Sequence, residues 1–198
     1  MDNREATVSW FAAEKFKQQY PKVAVKSENI LVDNDNIIMA GASTSFLNLG
    51  IYLIEKYYGK RLANYTAKIL LINKGNVSQQ SYSIFIGQKK HGDEAILATQ
   101  RFIECQIHEA ITVKKVIDMS ALSERTFIRR FKAATGISPL EYIQRTKVEF
   151  AKKKLESGES NISQISYATG YEDLNFFRKI FKRYTGLTPS QYQKQFSF

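Results

Sequence analysis

Residues 127–142 read FIRRFKAATGISPLEY, and residues 177–192 read FRKIFKRYTGLTPSQY. The two stretches align at an offset of 50 residues and are identical at seven of sixteen positions. The chain therefore contains an internal repeat, and a structure predicted for one copy is expected for the other.

The repeated pattern predicts the end of one helix and the start of the next. Two phenylalanines four positions apart mark a buried helical face, and a glycine then supplies the left-handed residue that ends a helix. A hydroxyl N-cap, a proline at the first helical position and a Glu or Gln that completes a capping box follow. The residues of this pattern are Phe127, Phe131, Gly136, Ser138, Pro139 and Glu141 in the first copy and Phe177, Phe181, Gly186, Thr188, Pro189 and Gln191 in the second.

Each copy also follows a short predicted helix and a tight turn. The turns are Ser120-Ala121-Leu122 and Thr169-Gly170-Tyr171. The helices after them carry several basic residues and no acidic residue over 126–135 and 174–185. A short helix, a turn of small residues and a basic second helix are typical of a helix-turn-helix unit. We therefore predict two such units, at about 112–135 and 161–185.

A long helix is predicted between the two units, at about 139–157. Its 19 residues correspond to about 28 Å at ~1.5 Å per residue. Successive major grooves on one side of B-DNA lie about 34 Å apart. The spacing therefore favours two recognition helices held in adjacent major grooves.

Composition limits the function classes. The chain has 29 Lys and Arg against 19 Asp and Glu, a net charge of +10. This excess indicates an anionic partner, for which nucleic acid, here double-stranded DNA, is the first candidate and a membrane surface or an acidic protein the second. Its halves, 1–90 and 91–198, carry +5 each, so net charge alone locates no site. A single cysteine and two histidines exclude a disulfide framework and leave too few ligands for a thiolate or histidine metal site. We expect no cofactor and no metal, and the absence of a long apolar run or a signal-peptide core predicts a soluble intracellular protein with no membrane partner.

The first 90 residues predict a mixture of helices and short strands. Helices are expected at 9–20, 45–58 and 61–72, and strands within 22–40, two of which form a hairpin about the turn at 33–36. Residues 75–93 are polar and are predicted to be a linker. From residue 94 onward the patterns are those of helices alone. Besides the long helix, they are expected at 96–108, 113–119, 124–135, 162–169, 174–185 and 189–196.

Residues 94–198 resemble the DNA-binding domain of AraC/XylS-type transcription regulators. The resemblance is carried by 123–132, 135–139 and 177–189, by Arg145, Ala151 and Leu155, and by 162–165 and 170–171. It implies two helix-turn-helix units joined by a long helix, with a role in sequence-specific regulation that is commonly activation. The chain departs from the family at Ala121, where a turn glycine is frequent, and at Ile117 and Ser166, where alanine is usual.

Residues 2–86 resemble the C-terminal part of the ThiJ/PfpI-like domain of GlxA-type regulators, which belongs to the class I glutamine amidotransferase-like superfamily. The matching segments are 4–10, 20–23, 30–33, 40–41, 58–59 and 62–64. The early parallel strands and the cysteine nucleophile of that family would precede Met1, and Ser9 stands where a histidine is frequent. The expected fold is thus mixed: a truncated α/β N-terminal segment over 1–74, a linker over 75–93 and an all-α DNA-binding domain over 94–198.

The family pattern assigns DNA-facing positions once the core positions are removed. Early residues of a recognition helix reach base edges, and later ones reach phosphates. Two alternatives are open for Phe176: it packs beside the core, or it contacts a thymine methyl group. The predicted base contacts are Arg125, Ile128, Arg129, Asn175, Phe176, Arg178 and Lys179, and the predicted phosphate contacts are Thr126, Lys132, Lys182 and Arg183.

Other polar groups are interpreted as structural. Cys105 lies within a predicted helix without a turn glycine, so a buried or half-buried thiol is expected rather than a nucleophile. His108 is expected to end that helix at 108, and His91 to be solvated in the linker. Asp33 and Asp35 fit a turn better than a metal site.

The favoured function is a DNA-binding transcription regulator, an activator in the bacterial cytoplasm and associated with the nucleoid. The expected partners beyond DNA are RNA polymerase and a second copy of the chain, bound through residues 1–90. No catalytic residue is assigned and no enzymatic activity is expected. The alternative is an amidase- or hydrolase-like enzyme of the ThiJ/PfpI superfamily with a DNA-binding tail.

Overall fold

A computed structural model describes residues 2–73, 78–158 and 161–197. The chain is mostly helical with a few small strands. It divides into two compact units, Met1–Ser83 and Ile84–Phe198. Of the linker predicted over 75–93, residues 75–77 lie outside the described residues, and residues 84–93 belong to the second unit.

Within its described residues, the first unit combines three α-helices with two small sheets. Strands β1 and β2 pair in parallel, whereas β3 and β4 form an antiparallel hairpin with Val32 opposite Met39. The hairpin confirms the prediction, but β1 was not predicted. Its elements are β1 (Glu5–Ala6), a 3-10 turn (Trp10–Ala12), α1 (Ala13–Gln19), β2 (Ala24–Val25), β3 (Leu31–Asp33), β4 (Ile38–Ala40), α2 (Ser45–Tyr58), α3 (Lys60–Ile69) and a second 3-10 turn (Gln80–Tyr82).

A buried glutamine holds the loops of the first unit together. The Gln79 side-chain amide donates to the carbonyls of Val8 and Asn29, each over 3.1 Å, and its oxygen accepts from the Trp10 amide over 3.2 Å. A Cβ at position 41 would collide with the Gln79 side chain. Gly41 is therefore required by close packing.

In the described residues of the second unit, all of the regular elements are helices, and turns and loops join them. The predicted bounds of α2, α5, α6, α9 and α10 are confirmed, whereas the helix predicted at 96–108 runs from 94 to 105. It starts earlier because the Asp93 carboxylate caps it by accepting from the Ile96 amide over 3.2 Å. The elements are α4 (Glu94–Cys105), α5 (Val113–Met119), α6 (Glu124–Thr135), α7 (Pro139–Ser157), α8 (Ile162–Ala168), α9 (Leu174–Thr185) and α10 (Pro189–Phe196).

The long helix α7 contributes to both hydrophobic cores of this unit. Near its start, Tyr142 and Ile143 pack with Phe127 and Phe131 of α6. Farther along, its apolar residues enter the core around α9. All four repeat phenylalanines are fully buried, which confirms their predicted core role. The residues of the second core are Val148, Ala151, Leu155, Ile165, Phe177, Ile180, Phe181 and Tyr192.

The caps of the repeat form with one exception. Gly136 and Gly186 have φ of +78° and +75°, in the left-handed region, and the predicted hydroxyl N-caps are present. Gln191 completes its capping box, but the box predicted for Glu141 is wrong. Its carboxylate instead accepts from Arg145 Nε over 2.9 Å, because a cation one turn later offers it a charge-assisted bond.

None of the helices in the described part of the chain combines the length and the apolar character that a membrane crossing needs.

Candidate nucleic-acid interface

Helices α6 and α9 present the predicted DNA-facing side chains at the surface. Each is the second helix of a helix-turn-helix unit, following α5 and α8 respectively. All of the predicted contact residues are exposed except Thr126, which is half-buried. The exposed set is Arg125, Ile128, Arg129, Lys132, Asn175, Phe176, Arg178, Lys179, Lys182 and Arg183.

Thr126 lies in the first turn of α6. Its Oγ1 accepts a hydrogen bond from Ser123 Oγ over 3.0 Å. Ser123 is the N-cap residue, but its side chain bonds no main-chain amide of the helix. The hydroxyl pair therefore lies at the positive end of the helix, a position that favours an anion.

Most basic side chains of this surface have no partner among the described residues. Arg125, Arg129, Lys132, Lys179 and Lys182 form neither an ion pair nor a hydrogen bond there. Two arginines differ: Arg178 lies 3.5 Å from the side-chain oxygen of Asn175, and Arg183 lies over the Tyr184 ring. These cations thus remain available to an anionic partner.

Two apolar side chains interrupt the basic surface. Ile128 on α6 is 40% exposed and Phe176 on α9 is 46% exposed. The Phe176 ring packs edge-on against Tyr171, with centroids 5.8 Å apart. Phe176 therefore packs against Tyr171 and also keeps nearly half of its surface exposed.

The two turns adopt the same left-handed conformation with different residues. Gly170 has φ of +68° and Ala121 has φ of +54°, so the position where the chain departs from the family glycine carries backbone strain. The other departures fit locally. Ile117 packs half-buried against the first core, and the buried Ser166 donates to the Tyr171 carbonyl over 3.2 Å.

A joint connects the two helix-turn-helix units, formed by residues 108–110, Lys147 and residues 168–170. Nδ1 of His108 donates to the carbonyl of Ala168 over 2.9 Å. The Lys147 ammonium donates to the carbonyl of Glu109 over 2.7 Å. A Cβ at Gly170 would collide with that same carbonyl. The loop before α5 and the turn between α8 and α9 are therefore in close contact.

Lys147 is an ionisable group buried within this joint. Only 3% of the residue is exposed, and its ammonium lies 5.0 Å from the centroid of the Tyr171 ring. Burial lowers the pKa of Lys147 to about 8 and raises the pKa of Tyr171 to about 12. The joint is thus sensitive to alkaline pH.

Three expectations about other polar groups are wrong. Cys105 is exposed, because it ends α4 on the side away from Ile103 and Ile107, which are buried. His108 lies beyond that helix and caps α8 through its bond to Ala168. His91 is not simply solvated, since its Nε2 donates to Gln100 Oε1 over 3.0 Å and its Nδ1 accepts from the Asp93 amide.

The described ranges contain no cluster of three or more His, Cys, Asp or Glu side chains suited to a metal ion. Asp33 instead binds protein groups. It accepts from Lys56 and from Tyr52, each over 2.6 Å, and these bonds lower the pKa of its carboxyl group.

Two functional positions were missed in the sequence. Asp93 is of a residue type that favours the N-cap position, and it lies three residues before Ile96. This signal would have placed the start of α4 at Glu94. Lys147 lies on the stripe formed by Ile143, Ala151 and Leu155, at intervals of four residues. A lysine on a buried stripe indicates a specific polar partner.

A helix-turn-helix domain model matches residues 117–195. The match begins in α5 and ends in α10, so it spans both units and the connecting helix. The match does not reach residues 84–116, although these residues belong to the same compact unit.

Three curated proteins illustrate the sequence relationship. The MmsAB operon regulatory protein of Pseudomonas aeruginosa is 29% identical over 45% of this chain and 29% of its own length. The HTH-type transcriptional activator RhaR of Salmonella arizonae is 32% identical over 51% of this chain and 34% of its own. The HTH-type transcriptional regulator CdhR of P. aeruginosa is 22% identical over 96% of this chain and 57% of its own. The chain thus spans less than two thirds of each relative.

Two solved structures share the fold of the second unit. The C-terminal domain of AraT, a response regulator from Geobacillus stearothermophilus, covers 56% of this chain and 91% of its own with a TM-score of 0.53 and 22% identity. A transcriptional regulator from Chromobacterium violaceum, described as containing an AraC-type DNA-binding domain, covers 54% and 96% with a TM-score of 0.50 and 20% identity. At these identities the likeness concerns the fold.

Proposed function

We propose that the chain is a sequence-specific, DNA-binding transcription regulator in which α6 and α9 read two adjacent major grooves. The observation that carries the proposal is the repeated unit itself. Each copy exposes a basic second helix, and the joint around Lys147 and Glu109 holds the copies together. The match of residues 117–195 to a helix-turn-helix domain supports the same function.

The proposed contacts divide into base readers and phosphate anchors. Arginine pairs naturally with guanine and asparagine with adenine, and apolar groups contact the thymine methyl. Cations in the later turns of each recognition helix are assigned to the phosphate backbone. The proposed readers are Arg125, Ile128, Arg129, Asn175, Phe176, Arg178 and Lys179, and the proposed anchors are Thr126, Lys132, Lys182 and Arg183.

The proposed regulatory role is activation through contact with RNA polymerase, in the bacterial cytoplasm at the nucleoid. The printed name of RhaR, a transcriptional activator, supports this direction. The names of the three relatives give no support to the alternative of an amidase- or hydrolase-like enzyme, and we assign no catalytic residue.

The first unit is proposed to be the ThiJ/PfpI-like part of the regulator and to mediate self-association. The match to CdhR extends over 96% of the chain, which supports a shared ancestry for the region before the DNA-binding unit. Helices α2 and α3 and the residues after them expose Tyr57, Leu62, Tyr65, Ile69 and Leu71, at 66, 44, 63, 61 and 92%. Exposed apolar groups in such number are characteristic of an interaction surface.

Light scattering on the full chain tests the self-association. We expect a dimer, and we expect the double variant Tyr65→Ser, Ile69→Ser to shift the mass toward the monomer. Lys15→Ser, a change at an exposed position of α1, is the control. A wild-type monomer at micromolar concentration would rule out the homodimer.

Selection from a pool of random duplexes tests the main proposal. The full chain should enrich a common sequence, and its affinity should fall with salt with a log–log slope of roughly −5 to −9, as about 6–10 phosphate contacts imply. Recovery of unrelated sequences, or an affinity independent of salt, would overturn it.

A further inference from the structure

The segment before α4 is built into the DNA-binding unit. We refer to residues 84–93 as the strap. Phe85 donates its amide to Glu149 of α7 over 3.0 Å, and its ring packs edge-on against Tyr142 at 5.3 Å. Gly87 approaches the Tyr142 ring so closely that a Cβ there would collide with it. The strap therefore lies directly on α7.

A buried hydrogen-bond network continues from the strap into the core. Gln100 is fully buried, and its amide donates to the Gln88 carbonyl over 2.8 Å and to the Tyr142 hydroxyl over 3.2 Å. Its oxygen accepts from His91 of the strap. The Tyr142 hydroxyl in turn donates to Glu104 over 2.8 Å. Because each of these buried groups has a partner, the strap has one favoured position.

The network reaches recognition helix α6 at two consecutive residues. Arg130 donates from Nε and Nη2 to the two carboxylate oxygens of Asp93, over 2.8 and 2.6 Å. These bonds hold the pKa of the Asp93 carboxyl group below its usual value. Phe131 packs against Tyr142 with ring centroids 5.5 Å apart. Their neighbours in the chain, Arg129 and Lys132, are exposed.

The second copy of the repeat provides an internal comparison. Tyr192 packs on Phe181 at 5.4 Å and donates to Glu156 over 2.6 Å, as Tyr142 does with Phe131 and Glu104. The position equivalent to Arg130, however, is Ile180, which is buried in the apolar core. A bidentate arginine–carboxylate contact to the strap is therefore specific to α6.

We propose that the strap sets the position of α6 through the Asp93–Arg130 contact, so that Asp93 and Arg130 are positioning residues for DNA reading by the first helix-turn-helix unit alone. The proposal rests on the proposed function, because it concerns how that function is performed. It also extends the DNA-binding unit to residue 84, ahead of the region matched by the helix-turn-helix model.

Footprinting of the full chain on a selected duplex tests the strap. Asp93→Asn removes the charge but keeps a good N-cap for α4, so the change acts mainly on Arg130. Arg130→Ile introduces the residue of the second copy. We expect each variant to lower affinity about five- to tenfold, with weaker protection of the segment read by α6 and unchanged protection of the segment read by α9.

Lys89→Gln is the matched control. Lys89 also belongs to the strap and forms an ion pair, over 2.6 Å, but with Glu104 of α4 rather than with α6. We expect wild-type footprints and affinity from it. The melting temperature of each variant, measured in parallel, separates loss of the fold from loss of position.

The outcomes distinguish the two proposals. If protection falls equally in both segments, or if Asp93→Asn and Arg130→Ile bind as the wild type does, the positioning role is wrong. The same conclusion follows if Lys89→Gln has as large an effect as Asp93→Asn. If the wild-type chain protects no segment of any selected duplex, the proposed function itself fails, and the role of the strap with it.

Discussion

The ammonium group of Lys147 lies 2.7 Å from the main-chain carbonyl of Glu109 and donates a hydrogen bond to it. Lys147 belongs to α7, which joins the two helix-turn-helix units, and Glu109 belongs to the loop between α4 and α5. Gly170, in the turn between α8 and α9, packs on the same peptide. The bond therefore lies at the contact between the loop before α5 and the turn between α8 and α9.

Because of the buried Lys147, we expect the free energy of unfolding to rise with pH. Its pKa is about 8 in the folded chain and about 10.4 when unperturbed, so between these values the unfolded state binds more protons and stability increases as pH rises. We expect about 2 kcal/mol more unfolding free energy at pH 9.5 than at pH 7 from this group.

Urea unfolding of Lys147→Met at the two pH values measures this contribution. The variant cannot titrate at this position, so it should lose that increment. An equal difference between pH 7 and pH 9.5 in variant and wild type would show that Lys147 does not titrate in this range.

We expect close packing to require glycine at position 170, and Gly158 serves as the matched control. Gly170 and Gly158 both have φ of +68°, but a Cβ at Gly170 would strike the Glu109 carbonyl, whereas Gly158 faces open space. Gly158→Ala should cost about 1 kcal/mol through left-handed strain. Gly170→Ala should cost a further ~1–3 kcal/mol through overpacking, and equal melting temperatures for the two variants would contradict the close contact.

We expect the substitution Ala121→Gly to stabilise the fold. Its φ of +54° is unfavourable for a residue with a Cβ, so Ala121→Gly should raise the unfolding free energy by about 0.5–1 kcal/mol. Ala133→Gly, on the exposed side of α6, should instead lower it by about 1 kcal/mol. Thermal unfolding checks both signs, and a destabilised Ala121→Gly chain would show that the turn is not strained.

The division between readers and anchors predicts two kinds of binding defect. Arg129→Ala and Arg178→Ala should each cost about 1–3 kcal/mol and relax the preference at particular base pairs. Lys132→Ala should weaken binding to all sequences alike and reduce the salt slope by about one. Binding assays on a panel of single-base duplex variants would refute the division if the three proteins behaved alike.

The repeat made much of the second unit predictable. Phenylalanine spacing, terminal glycines and N-cap hydroxyls are local signals, so α6, α9 and α10 begin and end where the sequence indicated. Local capping has limits, however. Glu141 has the right spacing for a capping box, yet the nearby Arg145 takes its carboxylate.

The joint and the strap depend on contacts between distant residues, which local patterns do not contain. Residues 84–93 are polar and lack periodicity, so they were predicted as a linker, although their bonds to Gln100 and Arg130 attach them to the second unit. The parallel pair of β1 and β2 is two residues long in each strand. A strand that short cannot show the alternation by which strands are recognised.

Hydroxyl-radical footprinting of the full chain on a selected duplex tests the central claim most directly, because it reports which backbone sugars of each strand the chain shields, and therefore on which face of the duplex it lies. Each bound chain, including each member of a dimer, should protect two segments about 10 base pairs apart on the same face of the duplex, because it carries both α6 and α9. One protected segment, or two segments on opposite faces, would contradict the claim that both recognition helices read DNA together.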